Sequence, residues 1–240
     1  MIKYNTGKIG ILAITAPGAA ICYEELVSYY GKKYGKYHHP EIFLHHINFY
    51  EFNIHLQNQN WDKLCELMLV SAQELAKHNL DFIIIPANTV HIVIDKLKNY
   101  SPVKILSILD VVAEACVSNC YKTVMVLGTK WTMSTKLYQN VFDKHDINLV
   151  IPSEKNQDTL QDMILNYLVP QINIDVAQKV LTELINDISP NCDAIALACT
   201  ELPMVLRQKD FDMPLIDTTR TLAQRAADYI YEITSCSVHK

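Results

Sequence analysis

The sequence predicts an α/β protein of two similar lobes, each a mostly parallel sheet of about four strands flanked by helices. Three observations predict it. Eight short apolar runs, most of them continuous rather than alternating, read as strands covered on both faces. Helical patterns stand between many of these runs, and strands alternating with helices imply βαβ units. Two distant runs, DFIIIPANTVH (81–91) and DAIALACTELP (193–203), also share one layout: an acidic residue, an apolar strand, a small residue, a polar residue and a helix start.

In chain order the strands are KIGILAI (8–14), EIFLHHI (41–47), DFIIIP (81–86), VKILSI (103–108), KTVMVLG (122–128), INLVIP (147–152), DAIALA (193–198) and MPLID (213–217). Helical patterns cover 62–78, 110–118, 132–144, 157–188 and 218–234. Trp61-Asp62-Lys63 reads as a helix start with Asp62 as a candidate cap. His45 and His46 fall inside a strand, where neighbouring side chains point to opposite faces, which disfavours a shared metal.

The chain has 240 residues, 50% of them hydrophobic, enough for one large domain or two small ones. A net charge of −5 without a basic patch argues against nucleic acid as a partner. No apolar stretch approaches the roughly 18 residues that span a bilayer. The start, MIKYNTGKIGILAI, lacks the layout of a signal peptide. Seven cysteines, an odd and scattered set without CxxC spacing, point to reduced thiols in a cytoplasm. Cys116 and Cys120, four apart, read as two small half-buried residues on one helix face. With six glycines and no GxGxxG or GxxxxGK[ST] loop, a nucleotide cofactor has no support.

The echoed runs carry the functional reading. Ligands in open α/β sheets bind outside the carboxyl ends of strands, so two facing lobes would bring both tips, Ala87-Asn88-Thr89 and Cys199-Thr200-Glu201, into one cleft. A helix start after Cys199 would make its thiolate easier to form than at the reference value of about 8.5. Thr200 and Glu201 beside it, and Asn88 and Thr89 on the other tip, supply hydroxyl, amide and backbone donors for a carboxylate. GTKWTMS (128–134) adds Thr129 and Thr132 at a third strand end. The common denominator is an anionic small molecule. His91, four residues past Ala87, is a candidate auxiliary acid or base, though such a histidine more often orients backbone.

Cys199-Thr200-Glu201 after DAIALA, with Asn88-Thr89 after DFIIIP, resembles the aspartate/glutamate racemase superfamily. The likeness spans nearly the whole chain and is nearest to the broad amino-acid and L-aspartate/glutamate-specific branch, through HHINFYEF (45–52), WDK (61–63), PANTVH (86–91), LGTKWTM (127–133) and ACTELP (198–203). The resemblance implies two pseudo-symmetric α/β lobes, residues 1–105 plus 212–240 and residues 106–211, with the site in the cleft between them. It also implies an amino-acid substrate, aspartate or glutamate first, a homodimer, and chemistry without pyridoxal phosphate, other cofactor or metal.

Family chemistry places an acid and a base on opposite faces of the α-carbon, usually one cysteine per lobe. By residue-wise match Cys199 is the second-lobe thiol. Asn88, Thr89, Thr129, Thr132 and Thr200 fall on substrate-holding positions, and Ala87 stands where the first-lobe acid/base belongs. Three departures matter. Ala87 cannot exchange a proton. The glycine-rich first loop is here AITAPG (13–18). The arginine that many aspartate racemases carry after the second strand is absent from NFYEFN (48–53), leaving Lys130 or Arg220 to meet an acidic side chain. Two alternatives remain: a single-cysteine decarboxylase of the same superfamily, and a catalytically silent amino-acid-binding protein.

Overall fold

The structure, a computed structural model, describes residues 6–188 and 191–235; Cys236 lies outside the described residues. All eight expected strands form. β1 (Lys8–Ala13), β2 (Glu41–His46), β3 (Phe82–Ile84) and β4 (Ile105–Leu106) make one parallel sheet in the order β2-β1-β3-β4. β5 (Thr123–Gly128), β6 (Asn148–Val150), β7 (Ala194–Ala198) and β8 (Leu215–Asp217) make a second in the order β6-β5-β7-β8. The two orders are the same, so the sequence echo is an architectural repeat in which β3 corresponds to β7. Both of these strands are buried end to end, which is why their sequences are continuous apolar runs.

Among the described residues ten α-helices flank the sheets: α1 (Ala16–Tyr34), α2 (Phe49–Gln57), α3 (Trp61–Ala76), α4 (Ile94–Tyr100), α5 (Ile108–Ser118), α6 (Lys130–Ser134), α7 (Gln139–Asp143), α8 (Glu154–Met163), α9 (Ile174–Ile188) and α10 (Thr218–Ser235). Several differ from the sequence expectation. α1 and α2 were not expected, and the helix start read after Asn88 is a 3-10 turn that leads into α4. The segment 132–144 is two short helices, parted where Lys136 takes a left-handed φ of 50°. The segment 157–188 is broken by a π-turn at Ile164–Leu168 and by left-handed Gln171 and Asn173 just after Pro170. Asn60 rather than Asp62 caps α3, accepting from the Lys63 amide, while Asp62 pairs with Lys96. α5 ends at Ser118, so Cys116 is buried in it while Cys120 is exposed beyond it at φ 60°, and the pair shares no helix face. Burial raises the Cys116 thiol to about 11. The six described cysteines are all unoxidised thiols.

The chain forms two compact units, residues 1–108 with 219–240 and residues 109–218. The expected boundary at 212 is therefore displaced. β8 pairs with β7 in the second sheet, so the chain returns to the first unit only after Thr218. The first core gathers Leu12, Phe52, Met68, Ile83 and Leu97 between the first sheet and its helices. The second gathers Leu127, Met133, Leu160, Leu181 and Leu197. Among the described residues no helix is long and apolar enough to cross a membrane.

The acidic residue that opens each echoed run is explained by local hydrogen bonding. Asp81 accepts from the Lys8 amide at 2.7 Å and donates its own amide to the Lys8 carbonyl. Asp193 accepts from the Lys122 and Thr123 amides at 2.7 and 2.8 Å and donates to the Thr123 carbonyl. Each aspartate fastens the start of the third strand of its sheet to the start of the first. The two amides hold the Asp193 carboxyl below its ordinary value of 3.8. A depressed carboxyl stabilises the fold above the unfolded value and loses that effect as pH falls through the folded one. Asp193→Ala should therefore lower the melting temperature at neutral pH, and the gap from wild type should close below about pH 3.8 in thermal scans. A gap that persists unchanged in acid would mean the carboxylate is not its source.

Candidate active site

In the second sheet the chain leaves β5 toward one edge and β7 toward the other. The carboxyl ends of such a pair are where open α/β sheets hold ligands. Gly128 is in register with Ala198, and a Cβ on it would lie 2.8 Å from the Ala198 carbonyl oxygen, so only glycine lets the two strand ends close. Cys199 comes directly after Ala198 and is 8% exposed. Its Sγ–H donates to Glu201 Oε2 at 3.0 Å, and the Thr200 hydroxyl donates to the same oxygen at 2.7 Å. Past β5, Thr129 caps α6 by accepting from the Thr132 amide, and the two threonine hydroxyls are 3.2 Å apart with Thr132 buried. These five residues share one strand-end region, as the sequence motifs implied.

The expectation of an easily formed thiolate at Cys199 is reversed. Burial first, and the Glu201 carboxylate second, push the thiol well above its ordinary value; the amides of Glu201 and Leu202 pull the other way and are outweighed. The turn beyond the tip offers little to offset them. Leu202–Met204 is a single 3-10 turn rather than an α-helix, so few peptide dipoles align toward the sulfur. Cys199 therefore rests as a protonated thiol beside a carboxylate able to receive its proton.

The first unit repeats the arrangement without the thiol. β1 and β3 are its central pair, and Ala87 occupies the position that corresponds to Cys199, its amide donating to the Ile85 carbonyl in a tight turn. Asn88 is buried and Thr89 opens a 3-10 turn, Thr89–Val93, that leads into α4. His91 is 2% exposed. Its Nδ1 lies 2.9 Å from the Ala87 carbonyl, and its Nε2 accepts from the Ile108 amide at 3.3 Å. A carbonyl only accepts and an amide only donates, so the ring is neutral with its proton on Nδ1. Both nitrogens hold backbone, and His91 orients the Ala87 turn.

Further polar groups at the strand ends escaped sequence reasoning. Thr15 caps α1 from the Gly18 amide, Asn48 caps α2 from the Tyr50 and Glu51 amides, and Ser107 is buried between β4 and α5. The Thr218 hydroxyl, also buried, donates to the Leu197 carbonyl at 3.0 Å and ties the end of β8 to β7. The legible signal was a threonine or asparagine one or two steps past an apolar run, the usual N-cap position. Lys130 pairs with Asp158 on α8, and Arg220 with Glu25 on α1. Among the described residues no group of three or more His, Cys, Asp or Glu side chains is placed to hold a metal.

A thiol, a carboxylate and clustered hydroxyls stand at one parallel-sheet switch point and are echoed by an amide and a hydroxyl at another, in a repeated α/β fold of the Asp/Glu racemase type. The model of the Asp/Glu/hydantoin racemase family matches residues 11–226, and the chain belongs to that family. It is 28% identical over 222 residues to the broad specificity amino-acid racemase RacX of Bacillus subtilis (strain 168), covering 90% of this chain and 95% of RacX. Among solved structures, an Asp/Glu racemase fold from Yersinia pestis superposes with a TM-score of 0.86 at 22% identity, over 93% of this chain and 99% of that one. PH1733, an aspartate racemase homologue from Pyrococcus horikoshii OT3, gives 0.78 at 27% identity, over 95% and 99%.

The geometry yields two expected outcomes. Gly128→Ala should destabilise the protein by about 1–3 kcal/mol in denaturant unfolding, because the new methyl meets backbone that cannot rotate away. Timed iodoacetamide labelling read by mass spectrometry should modify exposed Cys120 before Cys199, and Glu201→Gln should speed labelling of Cys199 by removing the charge that disfavours the thiolate.

Proposed function

We propose that this protein racemises amino acids without a cofactor, with Cys199 as one of the two groups that exchange a proton with the α-carbon. The observation that carries the reading is the Cys199 Sγ–H donated to Glu201 at the carboxyl end of β7. A resting thiol can deliver a proton to an α-carbanion, and in the reverse direction Glu201 accepts the thiol proton so that the sulfur can abstract one. Thr129, Thr132, Thr200, Asn88 and Thr89 hold the amino and carboxyl groups, and donors fixed around the carboxylate stabilise the charge that develops when the α-proton leaves.

Aspartate and glutamate belong among the substrates rather than being the only ones. No arginine stands in the stretch after β2, and the two cations beside the strand ends are engaged by Asp158 and Glu25. Exposed pairs of this kind are weak, so a substrate carboxylate can compete for them, but neither is a dedicated acidic-side-chain pocket. RacX, similar over nearly the full chain, carries broad specificity in its name, and the racemase relatives favour this reading over a decarboxylase.

The test is α-proton exchange in deuterium oxide with the L and D forms of aspartate, glutamate and a panel of neutral amino acids, followed with the enantiomer ratio. Exchange with inversion is the expected result, and Cys199→Ala should abolish the inversion and the exchange of one enantiomer. Exchange of both enantiomers that survives Cys199→Ala would remove Cys199 from the mechanism, and carbon dioxide release from malonates without exchange of amino acids would select the decarboxylase.

A further inference from the structure

Resting on the racemase reading, a second question is open: which group exchanges a proton where Ala87 offers only a methyl. His91 is occupied by backbone on both nitrogens. In the first sheet, the last residue of each strand and the three after it are 13–16, 46–49, 84–87 and 106–109. Among these sixteen positions the only titratable side chain is His46.

His46 ends β2 and is in register with Ala13 of β1. The β1–β3 register pairs Ile11 with Ile84, so two residues further on Ala13 stands level with Pro86, immediately before Ala87. Two strand spacings, about 10 Å, separate the His46 backbone from that of Pro86. The side chain closes part of the gap. Its Nε2 reaches the Ile14 carbonyl at 3.2 Å, which brings the ring to the end of β1, the strand between β2 and β3. Because a carbonyl only accepts, Nε2 carries a proton, so in the neutral ring Nδ1 is the nitrogen with the lone pair, and it has no partner among the described residues. The ring is exposed at the carboxyl edge of the sheet, where a ligand of this fold sits. An exposed histidine held by one backbone bond needs no catalytic explanation by itself. Its place, its fixed tautomer and the missing thiol together supply one.

We infer that His46 is the catalytic residue that exchanges the α-proton on the substrate face that Ala87 leaves open. In one direction Nδ1 takes the α-proton, the C–H electron pair stays on carbon and is delocalised into the carboxylate, and the Cys199 thiol delivers its proton to the other face. This leaves an imidazolium and a thiolate, which are returned to imidazole and thiol by exchange with water. In the other direction the thiolate abstracts and the imidazolium delivers. The division suits the buried thiol beside Glu201, which serves as an acid, whereas a two-cysteine pair must keep one sulfur ionised.

The experiment uses the full-length protein and His46→Gln, whose amide nitrogen can keep the bond to the Ile14 carbonyl while offering no base. α-Proton exchange in deuterium oxide is followed separately for each enantiomer, and amino-acid binding is measured by titration calorimetry. His46→Gln should lower exchange of one enantiomer by about 10²- to 10⁴-fold while binding stays within about twofold. Cys199→Ala should instead remove exchange of the other enantiomer. Wild-type exchange of both enantiomers that persists in His46→Gln would overturn the role of His46 and leave the racemase reading intact. Wild-type exchange of one enantiomer alone, lost with Cys199, would also overturn it, since the open face would then have no proton carrier. No wild-type exchange for any amino acid would overturn both readings together.

Discussion

The Asp81 carboxylate on the Lys8 amide, and its repeat as Asp193 on the Lys122 and Thr123 amides, pin the central two strands of each sheet to one another at their starting ends. Parallel strands that slip by one residue turn every side chain to the opposite face, so register cannot be left loose where both faces are buried. With the amino ends fastened, the uninterrupted ladder between the strands decides what arrives at the carboxyl ends. In one sheet that is Ala87 and Asn88, in the other Cys199 and Thr200. Gly128 then lets the ends of β5 and β7 close to a backbone contact that any Cβ would prevent. The placing of these strand-end residues thus depends on a surface carboxylate at the far end of each sheet, which is why an acidic residue is part of the echo.

Strands and their grouping were legible because continuous apolar runs are the direct signature of a strand buried on both faces. The helices were less so, for identifiable reasons. The buried face of α1, Ala19, Cys22, Leu26 and Tyr30, recurs every three or four residues, but it begins among small residues that make a weak stripe. The breaks within 132–144 and 157–188 are set by left-handed Lys136, Gln171 and Asn173, residue types that carry no obligatory turn signal as glycine would. The lobe boundary was misplaced because β8 contributes one short strand to a sheet whose other members lie earlier in the chain.

At the candidate site the residue types were readable and their states were not. Ala87 and Cys199 could be matched through the echo, since the pattern around them survives translation from one sheet to the other. The protonation of Cys199 could not, because it turns on the burial of the sulfur and on a carboxylate two residues away folding back onto it. His91 and His46 show the same limit. Each is one letter beside a strand end, and only the acceptors and donors around the ring tell a backbone clamp from an imidazole with an open nitrogen.

The first unit is discontinuous: α10 returns to it after the whole of the second unit has been traversed, packing Ile230 against Gly7 and setting Asp228 against Lys33 and Tyr34. A ribosome emits the chain from one end, so residues 109–218 can close their own core while the earlier unit still lacks a helix. The second unit can then assemble first during synthesis, and the half bearing Ala87 is complete only once α10 has followed. Truncation near the carboxyl terminus would strand the older half of the polypeptide with an uncovered apolar face, a client for chaperones and proteases, while leaving the thiol-bearing half whole.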